Sequence, residues 1–322
     1  MSQYDIACVG ILCADVLAKP VSELPEKGKL NLIDSIVLDM GGCAANAAID
    51  LSKLGFKPVI VAKIGNDGFG GFIKNKLSSG GVDISGLVTD DGVQTSASVL
   101  PISADGERTV MHCLGTNAGF CYEDINLDII NNSKIVFIAG TFLMPSFDGD
   151  GAVRLLREAG RMGKIRMLDT AWDSTGRWFT VIEKCLPELD WFMPSYEEAV
   201  AMSGLDDEVK IADFFAAKGA RNVIIKLGSR GCHVRPADAP AFSVPTYGHV
   251  KVVDTSGAGD SFCAGFIGGL LKGWDLPRCA CFANAVGSHC VMEMGTTNGV
   301  KSFDEIVAFM DRHPNIKENI CL

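Results

Sequence analysis

The 322 residues, 48% hydrophobic and 21% charged, suffice for a sizeable core and exclude disorder, collagen and coiled coil as overall descriptions. Lys and Arg number 29 against 39 Asp and Glu, and the net −10 argues against a nucleic-acid partner. The longest apolar stretch, around 135–145, is too short for a bilayer span of roughly 20 residues, and the start Met1-Ser2-Gln3-Tyr4-Asp5 lacks a signal-peptide pattern, so a cytoplasmic protein without membrane contact is expected.

Residues 5–10 read as a buried strand. Asp15 follows it at a position where open α/β sheets hold ligands, although turn aspartates are common. Residues 29–40 are strand-like, with Leu30/Leu32 and Ile36/Leu38 alternating. A helix is expected over 44–54, a strand over 58–63 and a helix over 69–78. The β-branched runs 95–102 and 109–114, separated by Ala104-Asp105-Gly106-Glu107, carry a hairpin signal. Strands at 134–139, 165–168 and 222–226 then alternate with helices at 152–162, 211–218 and 261–271. Continuous apolar runs suit strands covered on both faces. The alternation predicts an α/β, doubly wound, mostly parallel sheet flanked by helices. One domain over 1–322 is expected, with a small β lid from about 13–40 and 93–118 inserted in it.

The twelve cysteines contain no CxxC pair, and Cys279-x-Cys281 has no second pair at zinc spacing. They read as buried reduced thiols, which implies a reducing compartment. The five histidines form no ligand set. Phosphate-loop, protein-kinase, dinucleotide-fold, HExxH and GxSxG motifs are absent.

The most informative segment is Val252-Val253-Asp254-Thr255-Ser256-Gly257-Ala258-Gly259-Asp260-Ser261-Phe262. It reads as a strand ending at Val253, a small-residue turn, and a helix beginning near Asp260. Gly257, Ala258 and Gly259 leave backbone N–H groups open at a helix N-terminus, which is a phosphate cradle. Asp260 is either the helix cap or a carboxylate able to take a proton from an attacking hydroxyl. The second segment, Gly41-Gly42-Cys43-Ala44-Ala45-Asn46, places an amide on the first turn of an Ala-rich helix. Asn46 there serves either as a local cap or as a hydroxyl binder.

These two segments, in this order, resemble the two signatures of the ribokinase (PfkB) family of carbohydrate and nucleoside kinases. Leu227-Gly228-Ser229-Arg230-Gly231 between them resembles the family's nucleotide-side loop. The resemblance implies that Asp260 is the catalytic base and that Gly257, Ala258 and Gly259 form the anion hole. It implies that Asp15, Gly41, Gly42 and Asn46 hold the substrate, and that Lys226, Gly228, Ser229, Gly231 and Asn284 line the ATP site. Glu198 would be associated with Mg2+, and Asp254, Ser256 and Gly295 would surround a monovalent cation such as K+. The lid would cover the substrate and can mediate a homodimer.

This chain departs from the pattern at three places. Ser195 stands where relatives carry the Asn of Asn-x-x-Glu, Cys13 replaces the Asn of Asn-x-Asp, and Cys43 replaces a Lys after the paired glycines. The last two changes remove polar contacts at the sugar end and argue against ribose as acceptor. Trp172 and Asp173 offer a stacking face and a polar contact, or ordinary packing at a strand end. The expected function is ATP- and Mg2+-dependent transfer of a phosphoryl group to a hydroxyl, a primary one, of a sugar or sugar derivative. The alternatives are a nucleoside kinase and a catalytically silent sugar- or nucleotide-binding regulator.

Overall fold

The computed structural model describes residues 3–21, 23–104 and 109–313. The chain begins β1 (Tyr4–Gly10), β2 (Cys13–Lys19), β3 (Ser35–Gly41), α1 (Cys43–Lys53), β4 (Pro58–Gly65), α2 (Gly68–Ser79) and β5 (Asp83–Asp90). Then come β6 (Ala97–Pro101), β7 (Met111–Cys113), α3 (Thr116–Gly119), α4 (Leu127–Asn131), β8 (Ser133–Thr141), α5 (Asp150–Arg161) and β9 (Ile165–Thr170). The second half holds α6 (Phe179–Ile182), β10 (Trp191–Phe192), α7 (Tyr196–Ser203), α8 (Glu208–Ala217), β11 (Asn222–Lys226), β12 (Cys232–Arg235) and β13 (Phe242–Val244). Three helices close it: α9 (Ala258–Leu271), α10 (Leu276–Cys290) and α11 (Phe303–Asp311).

Nine strands form one sheet in the order β13-β12-β11-β10-β9-β8-β1-β4-β5, parallel throughout except at β12. Side chains alternate along each strand, so every central strand feeds two cores. Ile6 and Cys8 of β1 join Ile135 and Phe137 of β8 under α1, α9 and α10. Their neighbours Ala7, Val9, Val136 and Ile138 pack on the opposite face beneath α5 and α8. This is the doubly wound α/β architecture expected from the apolar runs. No helix among the described residues is long and apolar enough to cross a membrane.

A second sheet, ordered β3-β2-β6-β7, stands apart from the first. Its register aligns Asp39, Asp15, Ser98 and His112 on one rung and Leu38, Val16, Val99 and Met111 on the next. Successive rungs point to opposite faces, so one face begins with this polar rung and continues with Val37, Leu17 and Leu100, while the other is apolar. The apolar face is open, with Ile36 69% and Met111 49% exposed. Those side chains forgo the roughly 1.5–3 kcal/mol that full burial contributes, which leaves this sheet dependent on its backbone ladders.

Several expectations need correction. Residues 251–253 form no strand: Val252 and Val253 are exposed, and the Val253 N–H bonds the Val291 carbonyl at the end of α10. Helix α9 starts at Ala258, two residues before Asp260. The strand expected over 29–40 begins only at Ser35; Leu30 and Leu32 are exposed, because no neighbouring strand reaches them. Strands β6 and β7 pair antiparallel as the hairpin signal implies. Of its turn, 105–107 lie outside the described residues, as does Cys321. Among the described cysteines only Cys113 is exposed, and none is bonded to another.

Candidate active site

The site is built where α1 and α9 meet above the C-terminal ends of β8, β9 and β11. Helix α9 opens on Gly257, which takes φ 75° as N-cap and offers no side-chain acceptor. A Cβ there would lie 2.1 Å from the Thr296 carbonyl oxygen, so the turn admits no larger residue. The first N–H groups of a helix have no intrahelical partner, and here they line a cleft of about 310 Å³. Positive potential at this helix end suits an anion.

Asp260 is not the cap. It sits on the first turn, and its Oδ2 accepts a 2.8 Å hydrogen bond from the Asn46 amide, 214 residues earlier. Asn46 is not a cap either, since α1 begins after Gly42 without a side-chain bond. Burial pushes the Asp260 carboxyl above the ordinary aspartate range, while Asn46, Lys226 and the Cys43 thiol pull against that shift. A raised carboxylate held by one amide is suited to receiving a proton. The Asn46 Oδ1 is buried with no partner, a vacant acceptor beside the base.

Lys226 ends β11 and reaches the Asp169 carboxylate at 2.6 and 2.7 Å. Burial opposes its charge, but Asp169 overrides burial and holds the ammonium protonated. A Cβ at Gly259 would come within 3.3 Å of the Lys226 Nζ, which puts this charge directly beneath the anion turn. Glu198 lines the same cleft. Its Oε2 accepts from Thr170 Oγ1 at 2.8 Å and from the Ser195 N–H at 3.0 Å. Ser195 returns a bond to the Glu198 N–H, so the serine that replaces the family amide caps α7. Burial also raises the Glu198 carboxyl. Glu198 is the cleft's candidate metal-facing carboxylate, Asp169 being engaged by Lys226, and among the described residues no cluster of three metal-ligating groups forms.

The cleft therefore gathers Asp260, Gly257, Ala258, Gly259, Lys226, Glu198 and Gly228. Gly228 and Ser229 form an exposed turn after β11, closed by the Gly231 N–H to the Gly228 carbonyl at 3.0 Å. Asn284 lies buried on α10, where its amide donates to the Val244 and Pro245 carbonyls. Asp254 gathers the remaining pair: Oδ1 accepts from Ser256 and Oδ2 from the Gly295 N–H.

The substrate-side residues meet at the start of α1. Asp15 lies within β2, not in a turn, and a Cβ on Gly41 would fall 2.2 Å from its Oδ2. Burial raises the Asp15 carboxyl against bonds to Cys13 and Ser98. Ser98 also bonds His112 Nδ1 at 3.0 Å. Trp172 is exposed and packs edge-on against Trp178, while the Asp173 carboxylate closes its own turn on Thr175 and Trp178. Asp169, Ser98 and His112 were not singled out from the sequence; the signal available for Asp169 was an acid at the end of an apolar strand.

Known proteins resemble this chain in sequence and in fold. The pattern described as pfkB family carbohydrate kinase matches residues 3–302. The 5-dehydro-2-deoxygluconokinase of Clostridium perfringens is 28% identical, over 94% of this chain and 93% of its own. The Arabidopsis thaliana ribokinase solved with ribose and ATP superposes with a TM-score of 0.86 at 23% identity, covering 96% of this chain and 99% of that one. An Escherichia coli chain solved with ATP and Mg2+ gives 0.82 at 22%, covering 96% and 100%. The chain belongs to the pfkB family of carbohydrate kinases, phosphotransferases whose acceptor is a hydroxyl.

Proposed function

We propose that this kinase transfers the γ-phosphoryl group of ATP to a primary hydroxyl of a sugar or sugar derivative, with Asp260 as base. The observation that carries the reading is the Asp260 carboxylate, held by Asn46 at 2.8 Å beside the N–H groups of Gly257 and Gly259, the Ala258 N–H being bonded to the Thr255 carbonyl at 3.3 Å. The acceptor hydroxyl gives its proton to Asp260, its oxygen bonds the γ-phosphorus, and the bond from that phosphorus to the ADP oxygen breaks. The turn N–H groups and the Lys226 ammonium stabilise the phosphoryl oxygens as charge shifts. Mg2+, bound with ATP, supplies positive charge to the β- and γ-phosphates. Glu198 is the carboxylate that would hold it or its waters.

Asp15, Gly41, Gly42 and Asn46 bind the acceptor in this reading, and Gly228, Ser229, Gly231 and Asn284 border the nucleotide. The small sheet is the lid over the acceptor. In this reading Asp254, Ser256 and Gly295 would border a K+ site near the anion turn. A cytoplasmic setting suits thiols kept reduced. A nucleoside acceptor is the second reading, and a silent regulator is disfavoured because the base and its turn are intact.

ADP release over a panel of pentoses, hexoses, keto-deoxy sugar acids and nucleosides tests this. It is run in potassium and again in tetramethylammonium. A sugar or sugar-acid acceptor is expected to be turned over, with Asp260→Asn roughly 10²–10⁴-fold slower. Near-normal turnover by that variant overturns the base, and equal rates in both salts remove the potassium site.

A further inference from the structure

A second bond joins α1 to α9, one helical turn beyond Asn46. Asp50 is fully buried, and its Oδ2 accepts a 2.6 Å hydrogen bond from Ser261 Oγ, the residue after the base. Asn46 and Asp50 are four residues apart and share a face of α1. Their partners Asp260 and Ser261 are adjacent on α9. One bond between two helices permits them to swivel about it; two bonds a turn apart fix both translation and rotation.

We propose that Asp50 is a positioning residue for the phosphoryl transfer described above, on which this inference rests: it locks α1 against α9 so that base and anion turn keep one mutual geometry. The contact extends past Ser261. The Cys290 thiol lies beside the Ser261 side chain. That thiol donates to the carbonyls of Ser256 and Thr296, at 3.3 and 3.2 Å. These two residues flank Gly257, the first by sequence and the second by the carbonyl its missing Cβ would strike.

The chemistry of the side chain agrees. The Asp50 Oδ1 is buried without a partner. An ionised carboxylate so placed is heavily penalised, and the Asp260 charge repels it further. Burial holds Asp50 well above the ordinary range, with Ser261 and Lys53 opposing more weakly. Burial thus works against a second negative charge beside the base, while the directional bond to Ser261 remains. An apolar residue would occupy this interior at lower cost. What it would lack is a directional bond to the residue after the base.

The test uses the full chain and whichever of ribose, fructose, 2-dehydro-3-deoxygluconate and adenosine the wild type turns over fastest. Asp50→Ala is expected to lower kcat by roughly 10–100-fold, the scale of a small misplacement, with the KM for ATP changed less than about threefold. Asp50→Asn, whose amide oxygen can still accept from Ser261 while remaining neutral, is expected to retain most of kcat. Ser261→Ala removes the other end and serves if Asp50→Ala does not fold; the double variant is expected to be no slower than the slower single one. A folded Asp50→Ala with undiminished kcat overturns the proposal, as does a kcat loss in Asp50→Asn equal to that in Asp50→Ala. A wild type that binds ATP but turns over none of the four acceptors fails the acceptor reading itself, and the Asp50 proposal falls with it.

Discussion

Asp148 shows how a single side chain outside the cleft ties the protein's stability to pH. Its Oδ2 accepts the N–H groups of Phe142 and Met144, both at 3.0 Å, and its Oδ1 is buried without a partner. These bonds hold the bend that follows β8, where Phe142 takes φ 90°, a strained value for an aromatic residue. Burial pushes the Asp148 carboxyl up to about 7 against those two N–H groups. The folded value lies above the unfolded one, so the stabilising form is the protonated one. Its contribution is complete below about pH 4, where both states are protonated. It declines as the pH rises towards about 7, because the unfolded chain ionises first. Asp148→Asn is therefore expected to flatten the fall in stability between these limits. Urea midpoints of variant and wild type at both ends of the window check this, and parallel slopes would refute it.

At the scale of elements, the α9 start concentrates the fold's demands on Gly257. Gly257→Val would set a branched side chain against the Thr296 carbonyl at a positive φ. The expected result is roughly 10²-fold or greater loss of turnover, together with destabilisation of about 1–3 kcal/mol. Kinetics normalised to the folded fraction would detect it; full turnover in folded protein counts against the cradle. This turn was legible in the sequence because small residues at a helix start carry their own geometry. β1, β4, β8 and β11 were legible because a strand buried on both faces must be continuously apolar. Residues 251–253 misled for the same reason, since β-branched residues cannot report whether a partner strand is present. The pairs Asn46–Asp260 and Lys226–Asp169 were not legible as contacts. They join positions 214 and 57 residues apart, and only packing of the sheet brings them together.

At the scale of the whole molecule, the outer face of the small sheet is an apolar surface left uncovered among the described residues. Exposed patches of this kind serve association. A second copy is the occupant expected, because Ile36, Leu38, Val99 and Met111 form a face that could meet its own image. Leu38→Glu is expected to turn a dimer into a monomer in sedimentation at micromolar concentration, and a monomeric wild type would overturn the expectation.

The point where this sheet joins the main body has a mechanical consequence. Cys13 and Gly41 pair at its base, and Gly42 presses so closely on Ile11 and Leu12 that a Cβ would lie 2.5 Å from the Ile11 carbonyl oxygen. Two of the four connections to the sheet, the β1–β2 and β3–α1 links, thus pass through one fulcrum; the other two run from β5 to β6 and from β7 to α3. From there β2 extends seven residues, an arm of roughly 20 Å, so that a tilt of about 10° would carry its far end through about 3.5 Å. The same tilt would displace the first turn of α1, next to the fulcrum, far less. Leverage of this kind separates motion from alignment: the far end of the small sheet can swing while Asn46 and Asp260 stay in register.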